Sequence, residues 1–453
     1  MSKHSEKQRS LLKRLEENDS TLTSVSLSLS SSPNDLSTLQ RLRRSSHIQE
    51  LNLSMSLADD QVHLIAAALT PITSIQTLCL DLQEVSDSGF ARLINLLKDC
   101  PSPIKRFELR TNRLSSDGSA LIIESLLCHM TINELDLYAT ELDYYDLVIG
   151  DSGVKHIRAA LAKRNKPMKY LGIRQHGITD LGVSVLTQGI RDSPGVYSLS
   201  LQGNGITQSG ASVLARFIKE TDTLKSIDLG ENGIGDEGAI VLAQALCVNR
   251  TVHHVNLKAC GVGDGGAMRF AEALYNAPDT RGLQILILDF NNKVGDAAVE
   301  MIAQALKTNR TVKVLSVKYC RVGDEGGVQV ARSLKENDCL EELHLDGNDV
   351  GDATALELAE AIKINRTLRH LHLSNTHIRN QGQDKLIDAL KVNNTILSIS
   401  LTDTSGSRVS EVSAVEGLLM KNRELERVRE ELEKVKKERD EALNKLELLG
   451  QNQ

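Results

Sequence analysis

The feature that most constrains this chain is a repeat of 28 residues. Four segments, starting at Val196, Leu224, Leu340 and Leu368, align without a gap. With the first apolar residue counted as offset zero, apolar residues recur at offsets 0, 3 and 5. Asn or Cys often sits at 8, an aliphatic residue at 10 and Gly at 14. An L-A-x-A-L stretch follows at 18 to 22, as in Leu242, Ala243, Ala245 and Leu246. Unit starts fall at Leu22, Ile48, Ile75, Ile104, Ile132, Met168, Val196, Leu224, Val252, Leu283, Val312, Leu340, Leu368 and Ile396, which makes 14 candidate units. The first, LTSVSLSLSSSP, is degenerate and reads as a cap. Length alone suggests roughly three domains, but a sustained period means one supersecondary unit stacked many times.

The periods within a unit dictate its shape. Apolar offsets 3 and 5 alternate, which predicts a short strand with one buried face. The L-A-x-A-L stretch has the spacing of an amphipathic helix. Gly at offset 14 lets the chain pass close to its neighbour near the helix start. Asn at offset 8 can bond backbone groups left unpaired where strand becomes loop. Cys260 and Cys320 fill the same slot and read as structural. One unit cannot bury both its faces, so neighbours stack into a parallel sheet backed by helices.

The pattern LxxLxLxxNxIxxxGxxxLAxAL is carried by Leu224, Ile227, Leu229, Asn232, Ile234, Gly238 and Leu242 to Leu246. It resembles the ribonuclease-inhibitor-like class of leucine-rich repeats, whose units are similar to those of NOD-like receptors and Ran GTPase-activating proteins. The resemblance covers about nine-tenths of the chain. It implies an α/β leucine-rich repeat solenoid, a horseshoe with a parallel sheet on its concave face and helices on its convex face. It also implies protein binding on the concave face. Ribonuclease inhibitor itself is rich in Cys and uses Trp in binding, whereas this chain has 7 Cys and no Trp, which argues against nuclease inhibition. No GxxxxGK[ST] is present, so the nucleotide-binding module of the immune receptors is missing.

Composition fits a thin aliphatic core. Apolar residues make up 40% of the chain and aromatic residues 3%, with 5 Phe and 7 Tyr. The 7 Cys contain no CxxC pair, and the start MSKHSEKQRS has no apolar stretch, which together predict reduced thiols in the cytoplasm. No apolar run reaches the roughly 20 residues of a membrane span. A net charge of −7 and a pI near 6.0 give no pull toward nucleic acid.

Three segments are expected: a polar N-terminal helix or tail over 1–21, the solenoid over 22–410, and a C-terminal helix over 411–453. In that helix Leu418, Leu425, Leu432, Arg439 and Leu446 form one heptad column. Lys421, Val428, Val435, Ala442 and Leu449 form the other. The polar intrusions Lys421 and Arg439 leave either a coiled coil, possibly a homodimer, or a solvated helix capping the solenoid. Nine basic and nine acidic residues between Lys421 and Glu447 make it neutral, unlike the acidic tail of Ran GTPase activators.

Two motifs reduce to the repeat. Gly261, Gly263 and Gly266 spell GxGxxG with Asp289 beyond, but Gly233, Gly235 and Gly238 match one unit earlier with no acidic residue to answer them. No cofactor is expected. The sequons at Asn249, Asn309, Asn365 and Asn393 all fall between helix end and next strand and read as helix-terminating turns.

Candidate contact residues come from offsets that point away from the core. Arg110, Tyr138, Tyr170, Arg174, Lys258, Phe290, Lys318 and Tyr319 lie at or beside such positions, and aromatics with Arg are what protein hot spots use. The unit from Ile132 spans 36 residues and carries Tyr144 and Tyr145 in the 141–151 insertion, a further candidate contact. His344 and His372 share offset 4 in adjacent units, with His370, Glu342 and Asp346 on the same face. Such groups could hold zinc, yet no outer partner can be read, and ordinary solvated residues are the favoured reading, so no metal is assigned. No catalytic constellation can be placed in a closed pocket. The chain is therefore expected to be a non-enzymatic scaffold or adaptor with an unknown protein partner. Alternatives are a small-GTPase regulator, an immune-sensor-like protein or a ciliary-complex subunit.

Overall fold

The computed structural model describes residues 11, 13–15, 17–29, 33–43, 45–82, 84–97, 100–111, 124–127, 132–139, 149–276, 282–402 and 409–450. The chain divides into two compact units, Met1–Cys260 and Gly261–Gln453. Both are parallel strands backed by helices, the leucine-rich repeat architecture expected from the 28-residue period.

In the first unit the order is β1 (Ser24–Leu29), α1 (Pro33–Leu42), β2 (Glu50–Met55), α2 (Val62–Leu69), β3 (Thr77–Leu82), α3 (Asp87–Leu97), β4 (Arg106–Thr111), β5 (Glu134–Ala139), α4 (Gly150–Ala162), β6 (Met168–Arg174), α5 (Asp180–Arg191), β7 (Val196–Ser200), α6 (Gln208–Glu220), β8 (Ser226–Asp228), α7 (Gly235–Leu246) and β9 (His254–Asn256). Each strand pairs in parallel with the next. The second unit continues with α8 (Asp264–Tyr275), β10 (Ile285–Ile287), α9 (Asp296–Thr308), β11 (Val314–Ser316), α10 (Asp324–Ser333), β12 (Glu342–His344), α11 (Asp352–Ile364), β13 (His370–His372), α12 (Asn380–Val392), β14 (Ser398–Ser400) and α13 (Val409–Gly450). Its strands β10 to β14 also pair in parallel and in chain order.

The register keeps equal offsets opposite each other. Ile227 pairs with Val255, and Leu343 with Leu371. The core is the aliphatic layer between strands and helices: Leu78, Leu80, Phe90 and Leu93 are each at most 1% exposed. Each fully buried side chain of this size contributes about 1.5–3 kcal/mol. The Gly at offset 14 has a measurable reason: a Cβ on Gly182 would lie 2.2 Å from Asp151 Oδ1.

Side-chain ladders join one repeat to the next. At offset 8, Asn232 Nδ2 donates to the carbonyls of Leu201 and Leu229, both at 2.9 Å, and its Oδ1 accepts from Ile206 N at 3.1 Å. Cys260 makes the backward bond in its turn, Sγ donating to the Leu229 carbonyl at 3.1 Å. Burial pushes the Cys260 and Cys320 thiols up to about 12, so they are inert structural groups. A second ladder runs at the helix ends. Asn309, 1% exposed, donates to the Leu274 carbonyl at 2.9 Å and accepts from the backbone N–H groups of Thr311 and Val312, each at 2.9 Å. Asn249, Asn365 and Asn393 are buried in the same role, which makes the sequon asparagines structural, as read. A third ladder precedes several of the helices. Asp296 accepts from Gly323 N and Gly326 N, and Asp352 from Arg379 N and Gly382 N.

α13 packs on the last repeat at Leu419 and Asn422. Leu419 and Asn422 are buried, and Asn422 Nδ2 donates to the Ile396 carbonyl at 2.9 Å. Glu426 pairs with Arg369. The packed residues are thus Leu419 and Asn422 rather than the heptad positions Leu418 and Lys421, because docking uses the side of the helix that can reach Ile396. Leu425, Val428 and Leu432 remain exposed. Among the described residues no helix is long and apolar enough to cross a membrane.

Replacing Asn309 by Leu removes a buried group serving three backbone partners and should cost about 3 kcal/mol in denaturant unfolding. A loss below about 1 kcal/mol would show that water replaces those bonds. His176 occupies the offset-8 slot of its repeat, is fully buried, and has no partner for Nδ1; burial pushes it down to about 3 from 6.5. The folded chain keeps it neutral while the unfolded chain protonates it below 6.5. Its contribution is complete above that pH and is lost as pH falls toward 3. Between pH 7 and pH 5 this amounts to about 2 kcal/mol, and His176→Leu should flatten the stability profile by that much. An unchanged slope would mean that the ring does not stay neutral in the fold.

Candidate protein-binding face

Strand-face side chains in the first unit are largely committed to one another. Arg106 donates to Glu108 Oε1 through Nε at 2.8 Å and Nη2 at 2.6 Å, and reaches Glu134 Oε2 at 3.4 Å. Arg174 grips Asp136 with two bonds, Nε to Oδ1 at 3.0 Å and Nη2 to Oδ2 at 2.5 Å. Tyr170 OH lies 3.5 Å from Asp136 Oδ2, and its ring lies 5.8 Å from the Arg106 guanidinium carbon. Asp136 is only 4% exposed, so burial pushes its carboxyl up while Arg174 pulls it back. Gly172 makes room for this cluster: a Cβ there would sit 2.3 Å from Asp136 Oδ1.

That geometry changes the reading of two candidates. Tyr170 and Arg174 are half-buried partners of Asp136, not freely presented contacts. Their strand pairs with β5, and a buried carboxylate there captures both. Arg110 is exposed, with Glu108 Oε2 at 3.9 Å. Tyr138 pairs by backbone with Arg110 and Arg174, but its side chain lies outside the described residues. Tyr144 and Tyr145, with the 141–148 part of the insertion, also lie outside them. Lys258 pairs with Glu231 at 3.0 Å.

The second unit is different. Phe290 and Tyr319 lie just beyond β10 and β11 and stack at 4.6 Å between ring centroids, with 16° between planes. They are 48% and 40% exposed. Both have left-handed backbone, φ 59° and 51°. This is the seventh offset of every repeat from Met168 to Leu368: Gln175, Gly203, Glu231, Ala259, Phe290, Tyr319, Gly347 and Asn375 all have positive φ there. A non-glycine residue in that region costs about 1–2 kcal/mol, and a bulky one is unusual.

Tyr319 is held in place on several sides. Its ring lies so close to Gly347 that a Cβ there would meet Cδ1 at 2.3 Å. Its hydroxyl accepts from Asn375 Nδ2 at 3.0 Å. Lys318, one residue earlier, has Nζ 3.4 Å from Asp346 Oδ2. The structure therefore brings Phe290, Lys318 and Tyr319 together, and leaves Arg110 and Lys258 in the other unit. Sequence reasoning missed the left-handed column and Asn375; Gly and Asn at offset 7 were the available signal.

The repeats match known families. A profile for the TMOD/LMOD leucine-rich domain matches residues 279–425, and one for the leucine-rich repeat matches 223–243 and 248–271. Over 157 residues the chain is 29% identical to ribonuclease inhibitor from Sus scrofa, a stretch covering 34% of this chain. The chain is built of leucine-rich repeats similar to those of ribonuclease inhibitor. The match spans 32% of that relative's length. Among solved structures, a chain of the yeast Rad7–Elc1 complex shares the fold, with TM-score 0.51 and 17% identity over 88% of this chain and 89% of that one. Leiomodin-1 actin-binding site 2 aligns at TM-score 0.34 and 23% identity, over 37% of this leucine-rich repeat protein and 94% of its own chain.

Proposed function

We propose that this chain is a non-enzymatic scaffold that binds a protein partner through the face around Phe290, Lys318 and Tyr319. One observation carries the reading. Two large aromatic rings stand stacked and half-exposed on backbone that disfavours any bulky residue. The repeat imposes this backbone at every unit from Met168 to Leu368, and elsewhere the column carries only small or polar residues, so the two rings are the departure. An exposed aromatic pair beside a Lys also has the composition of a protein contact. The TMOD/LMOD leucine-rich domain match, over 279–425, includes these residues. We read 22–410 as the solenoid and 411–453 as an arm that can recruit a second chain. Phe290 and Tyr319 are the primary contacts; Arg110, Tyr138, Tyr144, Tyr145 and Lys258 would be separate contacts on the first unit.

Replacing Phe290 and Tyr319 together by Gly relieves about 2–4 kcal/mol of backbone strain but loses the ring stacking and the half-buried ring surface and frees the unfolded chain, effects of similar size and opposite sign. The melting temperature should therefore move little. Partners recovered by proximity labelling with the wild-type chain should be lost with this variant. Retention of all of them by a variant that melts normally would sink the reading.

The exposed Leu425, Val428 and Leu432 stripe on α13 supports self-association through this helix. Light scattering of the whole chain should give a dimer mass. The change of all three residues to Glu should halve it. Equal masses for both proteins would remove the homodimer.

A further inference from the structure

We propose that His344, His372 and Asp346 form a binding site for a zinc-class divalent transition-metal ion. The site stands on geometry of its own and does not depend on the aromatic contact face. Parallel pairing of β12 with β13 sets His344 directly opposite His372. Their imidazoles stack at 4.2 Å between centroids, 10° from parallel. Asp346, two residues beyond His344, turns its carboxylate toward the same point. One donor atom from each of the three residues lies within 4.8 Å of the other two.

The donors are not solvated surface groups. Asp346 is 8% exposed and the His344 side chain 13%. His344 Nδ1 and Asp346 Oδ2 are buried and take part in no hydrogen bond. Two such atoms in one cluster are costly, and a cation can satisfy both. Lys318 Nζ, 3.4 Å from Asp346 Oδ2, forms an ion pair without hydrogen-bond geometry and is the charge that a metal would displace.

Outer partners, which could not be read from sequence, are present. Glu342 Oε2 lies 3.3 Å from His344 Nε2. That contact places the ring proton on Nε2 and leaves the Nδ1 lone pair available, the arrangement in which a carboxylate orients a metal-binding imidazole. Ser400 Oγ lies 3.4 Å from His372 Nδ1. Asp346 Oδ1 accepts from Ser374 N at 3.0 Å, which anchors the carboxylate. Burial is the main cause that lowers both imidazoles, with Lys318 next for His344 and His344 itself next for His372. Two nitrogen donors and one carboxylate favour zinc and its neighbours over calcium or magnesium, and leave a fourth position for water.

The full chain, stripped with chelator, is titrated with Zn2+ by calorimetry, and Co2+ serves as the spectroscopic probe. One ion should bind, and Co2+ should show tetrahedral visible bands. His344→Ala and His372→Ala should each weaken binding at least about tenfold and abolish the bands; Glu342→Gln should weaken it by roughly tenfold. Lys318→Met removes the competing ammonium and should tighten binding. Circular dichroism and melting without metal establish that each variant folds, with His344→Asn replacing any Ala variant that does not. No binding at about 100 µM Zn2+ would overturn the assignment. So would binding that survives both histidine replacements, or that ignores both Lys318→Met and Asp346→Asn.

Discussion

The amide of a buried asparagine reaching back to the previous repeat is the interaction on which the remaining structure depends. A short strand of three residues, such as Ser226–Asp228, satisfies few of its own backbone groups. The turn after it would bury orphan carbonyls and N–H groups. Asn204 and Asn232 close that gap by donating backward and accepting from the loop of the repeat before. Asn309, Asn337, Asn365 and Asn393 also donate backward after their helices end, and accept from the backbone N–H groups two and three residues ahead. A buried polar group is tolerable when its partners are complete, and here completeness requires a neighbour.

With the backbone provided for, the strand face is free to vary. In the first unit it became an internal charge network, where Asp136 holds Arg174 and accepts from Tyr170. Removing one partner of such a buried pair costs about 3–5 kcal/mol, so these residues serve integrity before recognition. In the second unit offset 4 carries the imidazoles of His344 and His372, and offset 7 the stacked rings of Phe290 and Tyr319. Both arrangements rest on identical repeats beneath them. Differences between the two faces therefore lie in the side chains they carry, not in the repeats beneath them.

Much of this was legible from spacing. Equal offsets pair across strands, so the juxtaposition of His344 and His372 followed from counting, as did the structural reading of Cys260 and of the sequon asparagines. What escaped was whatever depends on reach and exposure. Asp136 captures Arg174 from the next strand, and no pattern in one repeat announces that. Phe290 and Tyr319 sit at offset 7, where the backbone turns left-handed, and only the Gly and Asn in that column hinted at it. The docking side of α13 was also hidden, since its heptads describe an exposed stripe while Leu419 and Asn422 make the contact.

The ladder bonds also have a kinetic meaning. Asn232, Asn249 and Asn365 reach partners 31 residues back, and Asp296 and Asp352 reach partners 27 to 30 residues ahead. Every such bond spans one period, and none requires distant parts of the chain to find each other. Loop-closure entropy is then small and the same at each step. Folding can begin at any well-formed pair of repeats and zip outward, and loss of order can start at an end and travel inward. Cooperativity in this molecule is handed from neighbour to neighbour, so one defective rung weakens transmission past that point while leaving the order on either side intact.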